Sequence, residues 1–131
     1  MDAKLTNYLI NLHEQSLISF DKAIEHYYWG YEYIDTTMDF TFHPKKYTSK
    51  FVKVVFYIGY IAFFSLAFVT FSELILVFKH KSLNIFIGAS SIILGLSCLM
   101  KAENKSEALK FLALMHKAEL QKSQSTSAEE N

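Results

Sequence analysis

Apolar residues gather into two long runs, 51–78 and 83–100, and only Lys79, His80, Lys81 and Ser82 stand between them. A helix needs about 20 apolar residues to cross a bilayer; the first run exceeds that length and the second falls just short of it. Backbone groups in lipid must be bonded within their own segment, so each run is predicted to be a helix. A break this short makes the two helices antiparallel neighbours. The predicted fold class is therefore all-α: a two-span transmembrane hairpin over residues 50–100, with flanks in water on either side.

Residues 3–38 carry a different period. Ile10, His13, Leu17, Phe20, Ile24, Tyr27, Tyr31, Ile34 and Met38 recur at alternating steps of three and four, which predicts one long amphipathic helix that packs against another helix. Asp2 is placed to cap it, and Gly30 interrupts it at a cost of about 1 kcal/mol relative to Ala. The stripe has two main uses: it folds onto the chain's own C-terminal arm, or Leu17, Phe20, Ile24, Tyr27 and Tyr31 form a coiled-coil interface between subunits. A third, adsorption to a membrane surface, is disfavoured by the lack of flanking lysines. Tyr27, Tyr28, Trp29, Tyr31 and Tyr33 form a dense aromatic cluster that suits either a core or the headgroup region of a membrane.

Residues 35–49 lose the period and contain Pro44, so they read as a linker into the membrane, anchored by Lys45, Lys46, Tyr47 and Lys50. Beyond the second run, residues 101 to 121 continue the helix without Gly or Pro. They present Ala108, Phe111, Leu112, Met115 and His116 on one face. Residues 123–131 are small, polar and acidic and read as disordered. The chain thus divides into 1–49, 50–100 and 101–131.

Charge narrows the chemistry. The formal net charge is zero, and all 13 basic residues are Lys. Bidentate capture of phosphate is an Arg speciality, so the absence of Arg argues against phosphate-reading chemistry, and no basic stretch is dense enough for a nucleic-acid groove. Lys45, Lys46 and Lys50 precede the first run, Lys53 lies at its start, and Lys101, Lys105, Lys110 and Lys117 follow the second. By the positive-inside rule both termini are cytoplasmic. No secretory signal precedes the runs, so the hairpin itself must direct insertion. The single Cys98 excludes a disulfide framework, and none of the five His forms the compact pair of a helical zinc site. No nucleophile stands beside a partner base. The expectation is a protein with no catalytic site, no metal and no cofactor.

Two features inside the runs carry functional weight. Asn84, Gly88, Ser91, Gly95, Cys98 and Ala102 follow one another at steps of four, three, four, three and four, a stripe of small or weakly polar residues. Such a stripe lets helix backbones approach closely, within a hairpin or between copies, and it would equally suit the wall of a pore. Glu73 is the one acidic residue within either run. It lies at the far interface if the span is 51–72, and about 7 Å inside if the span is 56–78. An acid at membrane depth is expensive and points to an ion pathway or an intersubunit contact.

The stretch 84–122, in which IGASSIILG at 87–95 runs into KAENK at 101–105 and then His116, resembles the SLATT-type two-transmembrane effectors of prokaryotic defence systems. The order of parts is similar too. The resemblance implies a component that assembles in the bacterial inner membrane and disrupts it when a partner signals. The expected function is a homo-oligomer that permeabilises the membrane or conducts ions across it. The alternative is a non-conducting accessory subunit, or an immunity protein against a membrane-active toxin. Expected partners are lipid, further copies of the chain, and a cytoplasmic protein bound through the N-terminal helix, with no nucleic acid.

Overall fold

The computed structural model describes residues 3–37, 40–45, 48–72 and 81–129, with residues 128 and 129 described by their backbone alone. Glu73, the connecting residues Lys79 and His80, the cap Asp2, the stripe residue Met38, and the anchors Lys46 and Tyr47 lie outside the described residues. The described chain is mostly helical: α1 (Ala3–Glu14), α2 (Phe20–Gly30), α3 (Lys50–Phe71) and α4 (Lys81–Glu129), with two short strands between α2 and α3. It divides into two units, one of residues 1–49 with 104–131, the other of residues 50–103. The C-terminal arm therefore folds with the N-terminal segment rather than standing as a third part.

The long N-terminal helix expected over 3–38 is two helices. Ser16 takes a left-handed φ of 57°, and the backbone closes α1 with Ser16 N–H donating to the His13 carbonyl at 2.8 Å and Leu17 N–H to the Leu12 carbonyl at 3.0 Å. These are the two bonds of a Schellman stop, with Ser where Gly is usual. The His13 ring donates from Nδ1 to the Ile18 carbonyl at 3.0 Å and holds the connection. Splitting the helix changes its buried face. In α1 the buried residues are Leu5, Leu9 and Leu12, whereas Ile10, which opened the expected stripe, is exposed.

A 3-10 turn, Tyr31–Tyr33, ends α2. The expected linker then holds an antiparallel strand pair, β1 (Ile34–Thr36) and β2 (Phe42–Pro44), with Asp35 opposite His43. Pro44 ends a strand in a two-stranded ribbon, where its missing N–H breaks no inner ladder. The pair is held by side chains that a periodicity search overlooks: Phe40 stacks on Tyr8 with ring centroids 4.9 Å apart, and Phe42 meets Phe111 edge-on at 5.0 Å.

Phe111 and Leu9 are the largest fully buried side chains of this unit's core. From α4, Ala108, Phe111, Met115 and Ala118 enter that core, joined by Ile18, Ala23 and Ile34. His116, expected on the arm's apolar face, is exposed. The tail expected to be disordered is helical through Glu129. Its small hydroxyls bond back to the preceding turn: Ser123 to the Leu120 carbonyl at 2.8 Å, and Thr126 to that of Lys122 at 3.0 Å. Such back-bonding supplies local partners that composition alone does not reveal.

The second unit is α3 with the first part of α4. The tight points between them run in opposite senses along the two helices: Gly59 with Cys98, Gly95 with Tyr60 and Phe63, Gly88 with Thr70 and Phe71.

Candidate functional site

In the α3–α4 pair the small-residue stripe faces inward. Asn84, Gly88, Ser91, Gly95 and Ala102 are buried and Cys98 is half-buried. The fit is closest at Gly88, where a Cβ would lie 2.9 Å from both the Phe71 ring and the Thr70 hydroxyl. Gly95 is looser, 3.4 Å from Phe63 Cβ, and Gly59 looser still, 3.5 Å from the Cys98 sulfur. The stripe thus lies against α3 of the same chain.

The large side chains face the other way. Phe51 is 76% exposed, Phe68 64%, Phe86 70% and Ile93 67%. Both helices are long and apolar enough to cross a membrane. Of their most apolar windows only 11% of α3 and 22% of α4 is buried inside the chain, whereas a core helix of a water-soluble domain is mostly buried. Hydroxyls on these helices bond to their own backbone: Thr70 donates to the Leu66 and Ala67 carbonyls at 3.0 and 2.9 Å, and Ser97 to that of Ile93 at 2.9 Å. Lys53 sits 5.9 Å from the Tyr57 ring centroid and Lys101 5.9 Å from that of Phe56.

The other unit brings together groups far apart in sequence. Gly30 lets the end of α2 press on α4: a Cβ there would lie 2.5 Å from the Ala108 nitrogen and 2.6 Å from its Cα. One turn earlier, His26 Nδ1 meets Glu107 Oε2 at 2.5 Å, and Lys110 Nζ meets the other oxygen at 2.6 Å. Partial burial pushes the Glu107 carboxyl upward, but hydrogen bonds from Lys110 and His26, with their charges, outweigh it and lower its pKa below the ordinary 4.5. Lys105 is buried with its ammonium 4.2 Å from the Tyr33 ring centroid. Burial, and then the nearby charge of Glu32, raises the Tyr33 phenol above its usual value.

The aromatic cluster divides between two roles. Tyr27 turns to Phe111, with centroids 5.2 Å apart, and Tyr33 covers Lys105. Tyr28, Trp29 and Tyr31 stay exposed. With Tyr27 and Ile24 they line an open cleft of about 510 Å³, whose polar lining is Glu32 and Asn104. Of the residues expected to join subunits, Leu17, Phe20 and Tyr27 pack on this unit's own core, while Ile24 and Tyr31 line the cleft.

Sequence reasoning missed the His26–Glu107 contact and the cleft. The spacing of Glu107 and Lys110 is a legible helical signal, but His26 lies 81 residues from Glu107. No local pattern links them. Among the described residues no three His, Cys, Asp or Glu side chains gather as a metal site would. No family model, curated protein or solved structure matches this chain.

Proposed function

We propose that the chain is an integral membrane protein whose α3–α4 pair spans the bilayer as a hairpin, with both termini in the cytoplasm, and that it acts by permeabilising the membrane or conducting ions. One observation carries the membrane reading: the pair is packed inside out, with Gly, Ser, Asn and Ala between the helices and Phe, Ile and Leu on the outside. In water that surface would be among the largest apolar patches a monomer exposes. In lipid it is solvated, and close helix contact supplies the association energy.

Conduction rests on the resemblance of residues 84–122 to the two-span defence effectors, with the protein as the membrane-acting component of such a system. Two helices enclose no pore, so conduction requires several copies of the chain. Those copies would meet through faces other than the stripe, which already lies against α3. This same point favours a second reading: a non-conducting accessory or immunity protein that uses the hairpin as an anchor and the water-exposed unit to dock its partner.

The deciding experiment measures the detergent-corrected mass of the purified chain together with dye and ion release from vesicles that contain it. A discrete oligomer with release supports conduction. A monomer across all concentrations, with intact gradients, leaves the anchor reading. Recovery of the wild-type chain in the aqueous fraction, folded without detergent, would overturn both.

A further inference from the structure

We propose that the cleft at the end of α2 is a binding site for an alkylated ammonium group, soluble or carried on a lipid headgroup. It is built by one close approach. Because Gly30 has no Cβ, the last turn of α2 and the following 3-10 turn lie flush on α4 at Ala108, and Tyr27, Tyr28, Trp29 and Tyr31 are held around a space of about 510 Å³. Aromatic faces carry negative quadrupole potential and attract cations, most strongly when several rings share one cation.

Glu32 adds a full negative charge to the same wall, and no Lys or His lines it. An anionic ligand would meet repulsion there. Among the described residues Glu32 makes no ion pair or side-chain hydrogen bond, so its carboxylate is available to a ligand. Lys105, the nearest basic neighbour along α4 to Asn104, is turned to Tyr33 and buried. Three of the four rings are more than half exposed: Tyr28 67%, Trp29 53% and Tyr31 55%. Rings that served only the core would not be left open in this way. A compact, weakly hydrated cation such as a methylated ammonium covers the ring faces and neutralises Glu32 at once. A sodium ion, which holds its water tightly, does not.

Both sources offer the same chemical group. A headgroup source rests on the membrane reading and draws on sequence proximity, since Asn104 follows Met100, the last residue of the apolar run, by four positions. A soluble source does not depend on that reading.

Trp29 is the chain's only tryptophan, so its fluorescence reports on this cleft alone. The full chain in a maltoside detergent is titrated with tetramethylammonium chloride, with sodium chloride at equal ionic strength and tert-butanol as controls. The expected result is a saturable change with tetramethylammonium and none with either control. Glu32→Gln weakens it about tenfold, and Tyr31→Leu weakens it as well, while both variants keep the wild-type circular dichroism. An equal response to sodium chloride or tert-butanol, or undiminished binding in Glu32→Gln, overturns the proposal.

A second arm identifies the source. In nanodiscs of phosphatidylcholine, a signal already at its bound plateau assigns the site to headgroups. A signal that saturates with added tetramethylammonium as it does in phosphatidylglycerol discs assigns it to a soluble ligand. Loss of the membrane reading would remove the first assignment and leave the detergent titration intact.

Discussion

The two units solve the same packing problem with opposite materials. In the unit of residues 1–49 and 104–131, the largest side chains are innermost: Phe111 and Leu9 are completely buried, with Met115, Ile34 and Leu12 around them. In the unit of residues 50–103, the largest are outermost, and Ala67, Thr70, Asn84 and Ser91 are inside. The first arrangement gains its stability by removing apolar area from water. The second leaves most of its apolar side chains outside; what it gains is close contact where side chains are small, at Gly88 against Thr70 and Phe71 and at Gly95 against Phe63 and the Tyr60 carbonyl. The difference teaches that burial ranks residues only relative to the solvent outside. Under the proposed membrane reading, each unit places inside what its own surroundings solvate least well.

Substitutions at five positions test this contrast, from the largest expected effect to the smallest. Phe111→Ala should cost the unit of residues 1–49 and 104–131 about 3–5 kcal/mol, read from denaturant unfolding followed by Trp29 emission. A loss under about 1 kcal/mol would mean that the core is not centred on this ring. Ile58, 60% exposed on α3, should behave the opposite way. Ile58→Asp should impair membrane insertion by about 2.5–3.5 kcal/mol, scored by glycosylation mapping, while Ile58→Ala leaves the α3–α4 contact intact. If Ile58→Ala unfolds the pair, that face is an ordinary core and the contrast collapses.

Gly30→Ala sharpens the comparison because its added methyl meets backbone. With Ala108 atoms 2.5 and 2.6 Å from the new Cβ, neither chain can yield without moving a helix. A destabilisation of about 1–3 kcal/mol is expected, seen as a lower melting temperature and earlier proteolysis of residues 1–49. Gly95→Ala in the other unit, at 3.4 Å from a side-chain carbon, should leave the melting temperature nearly unchanged, and a drop equal to that of Gly30→Ala would contradict the geometry.

The smallest effect is the pH dependence of Glu107. Its folded pKa lies below the ordinary 4.5, so the unfolded chain takes up the proton first. The carboxylate's contribution is complete above about pH 4.5 and is lost as pH falls through the lower folded value. Glu107→Gln should flatten that acid limb of the stability curve. An unchanged acid limb in the variant would show that His26 and Lys110 do not hold the carboxylate in solution.

The parts of the chain that the sequence made legible are those whose signal is local. Residues 51–71 of the first apolar run lie in α3 and the second run opens α4, because runs of this length exceed a strand and in lipid can bond their backbone only within the segment. The arm after Met100 stayed helical because no Gly or Pro stops it. The small-residue stripe was visible as a spacing, but spacing alone left open whether it faced α3, another copy or a pore. The N-terminal stripe misled, since steps of three and four continue across Ser16 while the backbone does not. A left-handed serine closes α1 there and turns the buried face to Leu5, Leu9 and Leu12.

The sequence by itself determined the mostly helical class, the position of both long apolar helices and the absence of Arg-based phosphate chemistry. Only the tertiary structure decided that residues 1–49 close on the C-terminal arm, that Phe40 and Phe42 lock a strand pair against Tyr8 and Phe111, and that His26 finds Glu107. It also divided one aromatic cluster into core rings and an open cleft. The physical reason is range. Helix formation and transfer to an apolar solvent are set by neighbours within a few residues, whereas a cleft or a charge pair depends on which distant surfaces fit, and here that fit turned on the missing Cβ of Gly30 against Ala108.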